Sequence, residues 1–269
     1  MTTSLRRTGV LLAAAVLAAS ALSGCGSGDV TASDAKGTEL VGLLKLAPGA
    51  VKGGKVTGTW FRMVQVGGTV KDGPYMKNAD SEADGGEVTL LKPGTSGGLR
   101  LEGYQSQPSP AFAANGDSLA AAIVRPAKFF AVDFSISTNP TDPQTQRRVA
   151  PPTIYLKDGR LTADLSSWGV TWNNQVFNQG APKPVPATAA KAPGQEKAEK
   201  VWDWVAGKYL ESAPAPTLTG KSATGTYDAR TGRFTLEWTS LIEGGPFNRF
   251  IGRWHLEGTF VKDGRAPDA

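Results

Sequence analysis

Residues 234–260 read FTLEWTSLIEGGPFNRFIGRWHLEGTF. Phe234, Leu236 and Trp238 recur at every second position. After Glu243-Gly244-Gly245-Pro246, Trp254, Leu256, Gly258 and Phe260 do the same. A period of two marks a strand, because successive side chains leave opposite faces of the backbone. Thr235, Glu237, His255, Glu257 and Thr259 take the other face, and a hairpin would set Glu237 across from His255 and Glu257.

The same grammar extends upstream. Val56–Val66, Glu87–Leu91, Leu99–Tyr104 and Lys128–Ser137 read as short strands separated by turn residues. Phe130, Val132, Phe134 and Ile136 alternate without a break. Asp158-Gly159 lies between Ile154-Tyr155-Leu156 and Leu161, and Asp-Gly is a hairpin-turn pair. Trp168, Val170 and Trp172 alternate before a second turn pair, Asn173-Asn174. Residues 181–194 form a Pro/Ala linker. Residues 195–211 have helical spacing, with Trp202, Val205, Tyr209 and Leu210 on one face and Glu196 paired to Lys200. These features predict an all-β unit, an antiparallel barrel or sandwich, with one helix inserted at 195–211. The 33 Gly and 18 Pro suit a fold rich in turns.

The N-terminus carries a different signal. Arg6-Arg7 precedes the apolar run Val10–Leu22, which is shorter than the roughly 20 residues of a membrane-spanning helix. Small residues follow, and this order is that of an export signal. Leu22-Ser23-Gly24-Cys25 resembles the lipobox of bacterial lipoproteins. The resemblance implies cleavage before Cys25 and acylation of its thiol, hence a membrane anchor on the extracytoplasmic face. Cys25 is the one cysteine in 269 residues, and lipidation would remove a free thiol from an exported chain. Export by the general or the twin-arginine route is left open. The expected organisation is a signal peptide over 1–24, a lipidated N-terminus and tether over 25–50, and a β-rich domain over 51–265.

Charge narrows the partners. Of the 29 Lys and Arg, Arg6 and Arg7 lie in the signal, which leaves 27 against 24 Asp and Glu, a net charge of +3. There is no basic run beyond isolated pairs, so nucleic acid is not an expected partner. The expected partners are the membrane, through the anchor, and a glycan or an envelope protein.

The stretch 234–260, together with Gly58–Met63, Ser137–Gln144 and Phe177–Gly180, resembles uncharacterised secreted proteins of actinobacterial type. The resemblance implies an extracytoplasmic setting and a β fold. It implies no catalytic residues.

Three sets of residues are candidates for function. Trp168, Trp172, Asn173, Asn174 and Asn178 combine indole faces with amides, a chemistry suited to a sugar ring and its hydroxyls. Asp80, Glu82 and Asp84 alternate ahead of Gly85, like the opening of a calcium loop, although Leu91 stands where a closing Glu belongs. Calcium is therefore the one cofactor these residues suggest. Glu237, His255 and Glu257 are the candidates for hydrolysis, with Ser240 nearby. No Gly-x-Ser-x-Gly elbow accompanies them. The leading expectation is a non-catalytic ligand- or glycan-binding β module. A cell-envelope hydrolase and a structural or partner-docking protein are the alternatives.

Overall fold

In the computed structural model, Phe234, Leu236, Trp238, Trp254 and Leu256 all turn to one side of a long hairpin and are buried. That side faces the core. The structure describes residues 37–183, 201–203, 207–210 and 222–262. Cys25 and the whole signal lie outside these.

Among the described residues there are nineteen strands. The first eight are β1 (Thr38–Leu40), β2 (Gly42–Leu46), β3 (Ala50–Lys52), β4 (Lys55–Thr57), β5 (Trp60–Thr69), β6 (Gly73–Tyr75), β7 (Thr89–Leu90) and β8 (Gly98–Arg100). The next six are β9 (Ala127–Phe129), β10 (Val132–Thr138), β11 (Thr153–Lys157), β12 (Arg160–Asp164), β13 (Trp168–Trp172) and β14 (Gln175–Asn178). The last five are β15 (Val201–Asp203), β16 (Lys208–Leu210), β17 (Ala223–Asp228), β18 (Arg233–Leu241) and β19 (Ile251–Lys262).

The main sheet is antiparallel, in the order β1-β11-β12-β17-β18-β19-β2-β8, and it curls into a half-barrel. The twelve-residue β19 serves two neighbours on the side away from β18. Ile251 to His255 pair with Val64 to Trp60 of β5, and Gly258 to Lys262 pair with Leu46 to Gly42 of β2. The backbones cross closely at the change of partner: a Cβ on Gly258 would stand 1.9 Å from the Lys45 carbonyl oxygen. Only glycine fits there.

A second sheet, β14-β13-β10-β9, covers the inner face of the half-barrel. Phe134 and Ile136 from β10, with Trp168 and Val170 from β13, interlock with Phe61, Trp238 and Trp254 from the first sheet. The Trp168 ring meets Trp238 edge-on at 5.1 Å and Trp254 at 5.6 Å, while Trp238 and Trp254 stack at 5.9 Å. Such pairs add about 0.5–1.5 kcal/mol each beyond the area they bury.

Three expectations change. Residues 201–203 and 208–210 form an antiparallel hairpin and no helix, with Trp202 in register with Tyr209 around Gly207 at φ +60°. Residues seven apart are neighbours on a helix face and also across such a hairpin, so the spacing read both ways. Residues 195–200 lie outside the described residues. Second, the alternation from Phe130 to Ile136 is broken. Phe130 (φ 52°) and Ala131 (φ 60°) make the turn between β9 and β10, where neither residue type advertises a left-handed backbone. Third, the folded unit begins inside the expected tether. Leu44 is wholly buried on β2, and β1 pairs with β11.

Candidate functional site

Glu237 and His255 are register partners on the outer face of the main sheet. His255 Nδ1 donates to Glu237 Oε1 at 2.7 Å, and Arg253 Nη2 donates to Glu237 Oε2 at 3.1 Å. These bonds hold the Glu237 carboxyl down at about 2, the histidine bond being the largest cause. Glu257 accepts from Arg233 at 3.0 Å and from the Gly58 amide at 3.0 Å. Its Oε2 is 3.8 Å from His255 Nε2. The His255 ring stacks on Trp60 at 5.1 Å, nearly parallel, and the Arg253 guanidinium lies 5.2 Å from the same indole.

This face is a ladder of matched charges. Glu237 is ionised at neutral pH and has no proton to give as a general acid. Ser240 alternates to the opposite, buried side of β18, where His255 cannot reach it. The serine, histidine and acid therefore do not meet.

The acidic loop also resolves into separate partners. Asp80 Oδ2 accepts from the Ala131 amide at 2.8 Å, and Glu82 pairs with Lys92 at 2.8 Å. Asp84 falls in a short 3-10 turn, Asp84–Gly86. Among the described residues no group of three or more His, Cys, Asp or Glu could hold a metal ion. The loop borders a cleft of about 280 Å³ that also takes in Arg125, Lys128 and Asp133. Burial, then the charge of Asp117, raises the Asp133 carboxyl. Acids and bases interleave around this cleft and offset one another.

The aromatic and amide residues go inward. Trp168 is wholly buried and Trp172 is 8% exposed, its Nε1 donating to the Phe129 carbonyl at 2.8 Å. Every residue of β13 is buried, because the strand has main-sheet residues on one side and loops on the other. Neither indole offers a face to a sugar. Asn173 (φ 48°) and Asn174 (φ 59°) form the exposed turn between β13 and β14.

Asn178 is 1% exposed and ties two segments together. Its Nδ2 donates to Asp142 Oδ1 and to the Ser166 carbonyl, its Oδ1 accepts from the Gly180 amide, and its own amide donates to Gln144 Oε1. The Ser137–Gln144 and Phe177–Gly180 stretches thus meet in one buried polar knot. Lys183 joins it, donating to Gln144 Oε1 at 3.1 Å and to the Leu241 carbonyl at 2.6 Å. Burial pushes the Lys183 ammonium below its ordinary value, and Glu243 at 3.0 Å opposes that shift.

Beside this knot lies a cavity of about 50 Å³ between the two sheets. Its walls include Phe61 on β5, Phe129 on β9, Phe177 on β14, Phe247 in the loop before β19, and Trp254 on β19. Gln179 is the one amide among the described lining residues, and none of those residues is charged. Trp254 alternates with Leu256, Gly258 and Phe260 in the sequence, whereas Phe247 follows the Gly-Gly-Pro turn with no pattern of its own. Gln179 lies in the Phe177–Gly180 stretch, where nothing in the sequence marks it for a cavity wall. Pocket walls drawn from five separate segments leave no local signature.

No protein-family model matches this chain, and neither a curated protein nor a solved structure does so.

Proposed function

We propose that this chain is a lipoprotein, anchored through Cys25 on the extracytoplasmic face of a cell membrane, whose β unit binds a small ligand without transforming it. The ligand site is the cavity between the two sheets. One observation carries this reading: an aromatic-walled space sits next to a buried Gln179 whose Oε1 has no hydrogen-bond partner. Binding sites are mostly apolar, with a few placed polar groups that fix orientation. The pattern of Arg6-Arg7, Val10–Leu22 and Leu22-Ser23-Gly24-Cys25 supports the address.

A hydrolase at Glu237, His255 and Glu257 has less support, since each carboxylate is already paired with a guanidinium. A glycan platform at Trp168 and Trp172 has less support too, since both indoles are buried.

Thermal unfolding of the mature chain tests the reading. A ligand at a hundred times its Kd stabilises a protein by about 2.7 kcal/mol. In a chain of this size that raises Tm by several degrees. Small, largely apolar molecules should give the rise. A rise with wall polysaccharides and none with small molecules would contradict it.

A further inference from the structure

An amine, a carboxamide and a carboxylate meet in the buried knot around Asn178. Lys183 Nζ stands 3.1 Å from Gln144 Oε1 and 3.0 Å from Glu243 Oε2. Gln144 is 8% exposed and the Lys183 side chain 13%. The Glu243 side chain is 42% exposed and opens the group to solvent. The three residues follow β10, β14 and β18, so only the fold brings them together.

The Gln144 amide is gripped at both ends. Its Oε1 accepts from the Asn178 main-chain amide at 3.0 Å as well as from Lys183. Its Nε2 donates to the Glu243 main-chain carbonyl at 2.8 Å. Asn178 also lies beside Lys183, but it meets the ammonium only through its main-chain carbonyl. The Asn178 side chain is committed to Asp142, the Ser166 carbonyl and the Gly180 amide. Among the described residues, Gln144 is therefore the side-chain amide that offers its carbonyl to the lysine.

We propose that Lys183 and Gln144 join spontaneously into an isopeptide cross-link, with Glu243 carrying the protons. An ammonium has no lone pair, so Glu243 first takes one proton from Lys183. Burial favours this loss, while the charge of Glu243 opposes it. The amine then attacks Gln144 Cδ, forming the Nζ–Cδ bond, and the carbonyl electron pair moves onto Oε1. The Asn178 main-chain amide is already aimed at that oxygen and stabilises its charge. When the pair returns, the Cδ–Nε2 bond breaks. Glu243 hands its proton to Nε2, which leaves as ammonia, and takes the second proton from Nζ. The ammonia carries that proton to solvent as ammonium, past the exposed side of Glu243. Atoms and charge balance with no co-reactant. Holding the reactants side by side supplies what amide exchange between free molecules lacks. The product is a covalent tie between residues 39 apart in the chain.

The test is a tryptic peptide map of the full mature chain, held folded at neutral pH and read by mass spectrometry. The peptide bearing Gln144 should appear joined to the peptide bearing Lys183, one ammonia lighter than their sum. Fragmentation should place the bond between these two side chains. Lys183→Arg should release both peptides as separate species. Glu243→Gln should slow the cross-linking roughly a hundredfold or more, with the lysine and the glutamine still in place. The wild-type map stands even if a variant does not fold. Separate, unmodified peptides from the wild type would overturn the proposal and leave Lys183 and Glu243 as a buried ion pair. A bond from Lys183 to any other side chain would overturn the choice of Gln144. Cross-linking as fast in Glu243→Gln as in the wild type would overturn Glu243 as the proton carrier.

Discussion

The Gln179 side chain reaches Leu241 across the seam between the sheets, its Nε2 donating to the Leu241 carbonyl at 3.0 Å. Residue 179 follows β14 of the smaller sheet, and Leu241 ends β18 of the larger. One amide thus joins the two layers and, by the same bond, turns its oxygen away from the backbone. The geometry of the proposed site and the cohesion of the fold share this residue.

That sharing makes Gly252→Ala informative. The new methyl would stand 2.2 Å from Gln179 Oε1, so the amide must move. Because the group that moves is the end of a flexible side chain, the cost should be modest, about 1–3 kcal/mol. Gly258→Ala should be worse, because its methyl would strike the Lys45 main chain at 1.9 Å. Urea unfolding of the two variants checks the order.

The knot at Asn178 should matter more than any single surface pair. Asn178→Ala would strand Asp142 Oδ1, the Ser166 carbonyl and the Gly180 amide. Each buried group left unsatisfied costs about 1–3 kcal/mol, so a loss of several kcal/mol is expected. By contrast, Lys92→Ala breaks an exposed pair with Glu82 and should cost under about 1 kcal/mol. A denaturant midpoint for each variant separates the two.

The outer-face ladder predicts a response to acid. The Glu237 carboxyl is lowered from 4.5 to about 2 in the folded chain. A depressed carboxylate contributes stability that is full above its unfolded value and lost as pH falls through the folded one. Its share should therefore fade between about pH 4.5 and 2. The side chain is 43% exposed, so solvent screening keeps the share small. Glu237→Gln should flatten the fall of Tm over that interval relative to wild type.

The proposed address makes its own prediction. Cys25→Ser should abolish labelling with radioactive palmitate and release the chain from sedimented membranes. Continued membrane attachment without label would contradict the anchor.

Much of the fold was legible in the residues themselves. The alternation over 234–260 gave the central hairpin, down to Glu237 standing across from His255. Asp158-Gly159 gave the β11–β12 turn, with φ of 50° and 74°. What escaped was decided by tertiary packing. Alternation at Trp168, Val170 and Trp172 implies one buried and one open face, yet β13 is covered on both. The turn at Phe130-Ala131 uses residues with no turn preference, held by the Asp80 bond to the Ala131 amide. The helix expected at 195–211 became a hairpin where it is described, because aromatic and β-branched residues around Gly207 favour strands. The cavity was hidden for a simpler reason. Phe61, Phe129, Phe177, Phe247 and Trp254 come together only in space.

If the space between the sheets admits a ligand, it should admit xenon. The most direct measurement is xenon-129 NMR of the mature chain, beside a Val170→Phe variant that fills the cavity. Val170 lines the cavity and is 8% exposed. A protein-specific xenon shift should saturate in the wild type and be lost in a Val170→Phe chain that still unfolds cooperatively. The same xenon shift in both chains would contradict it.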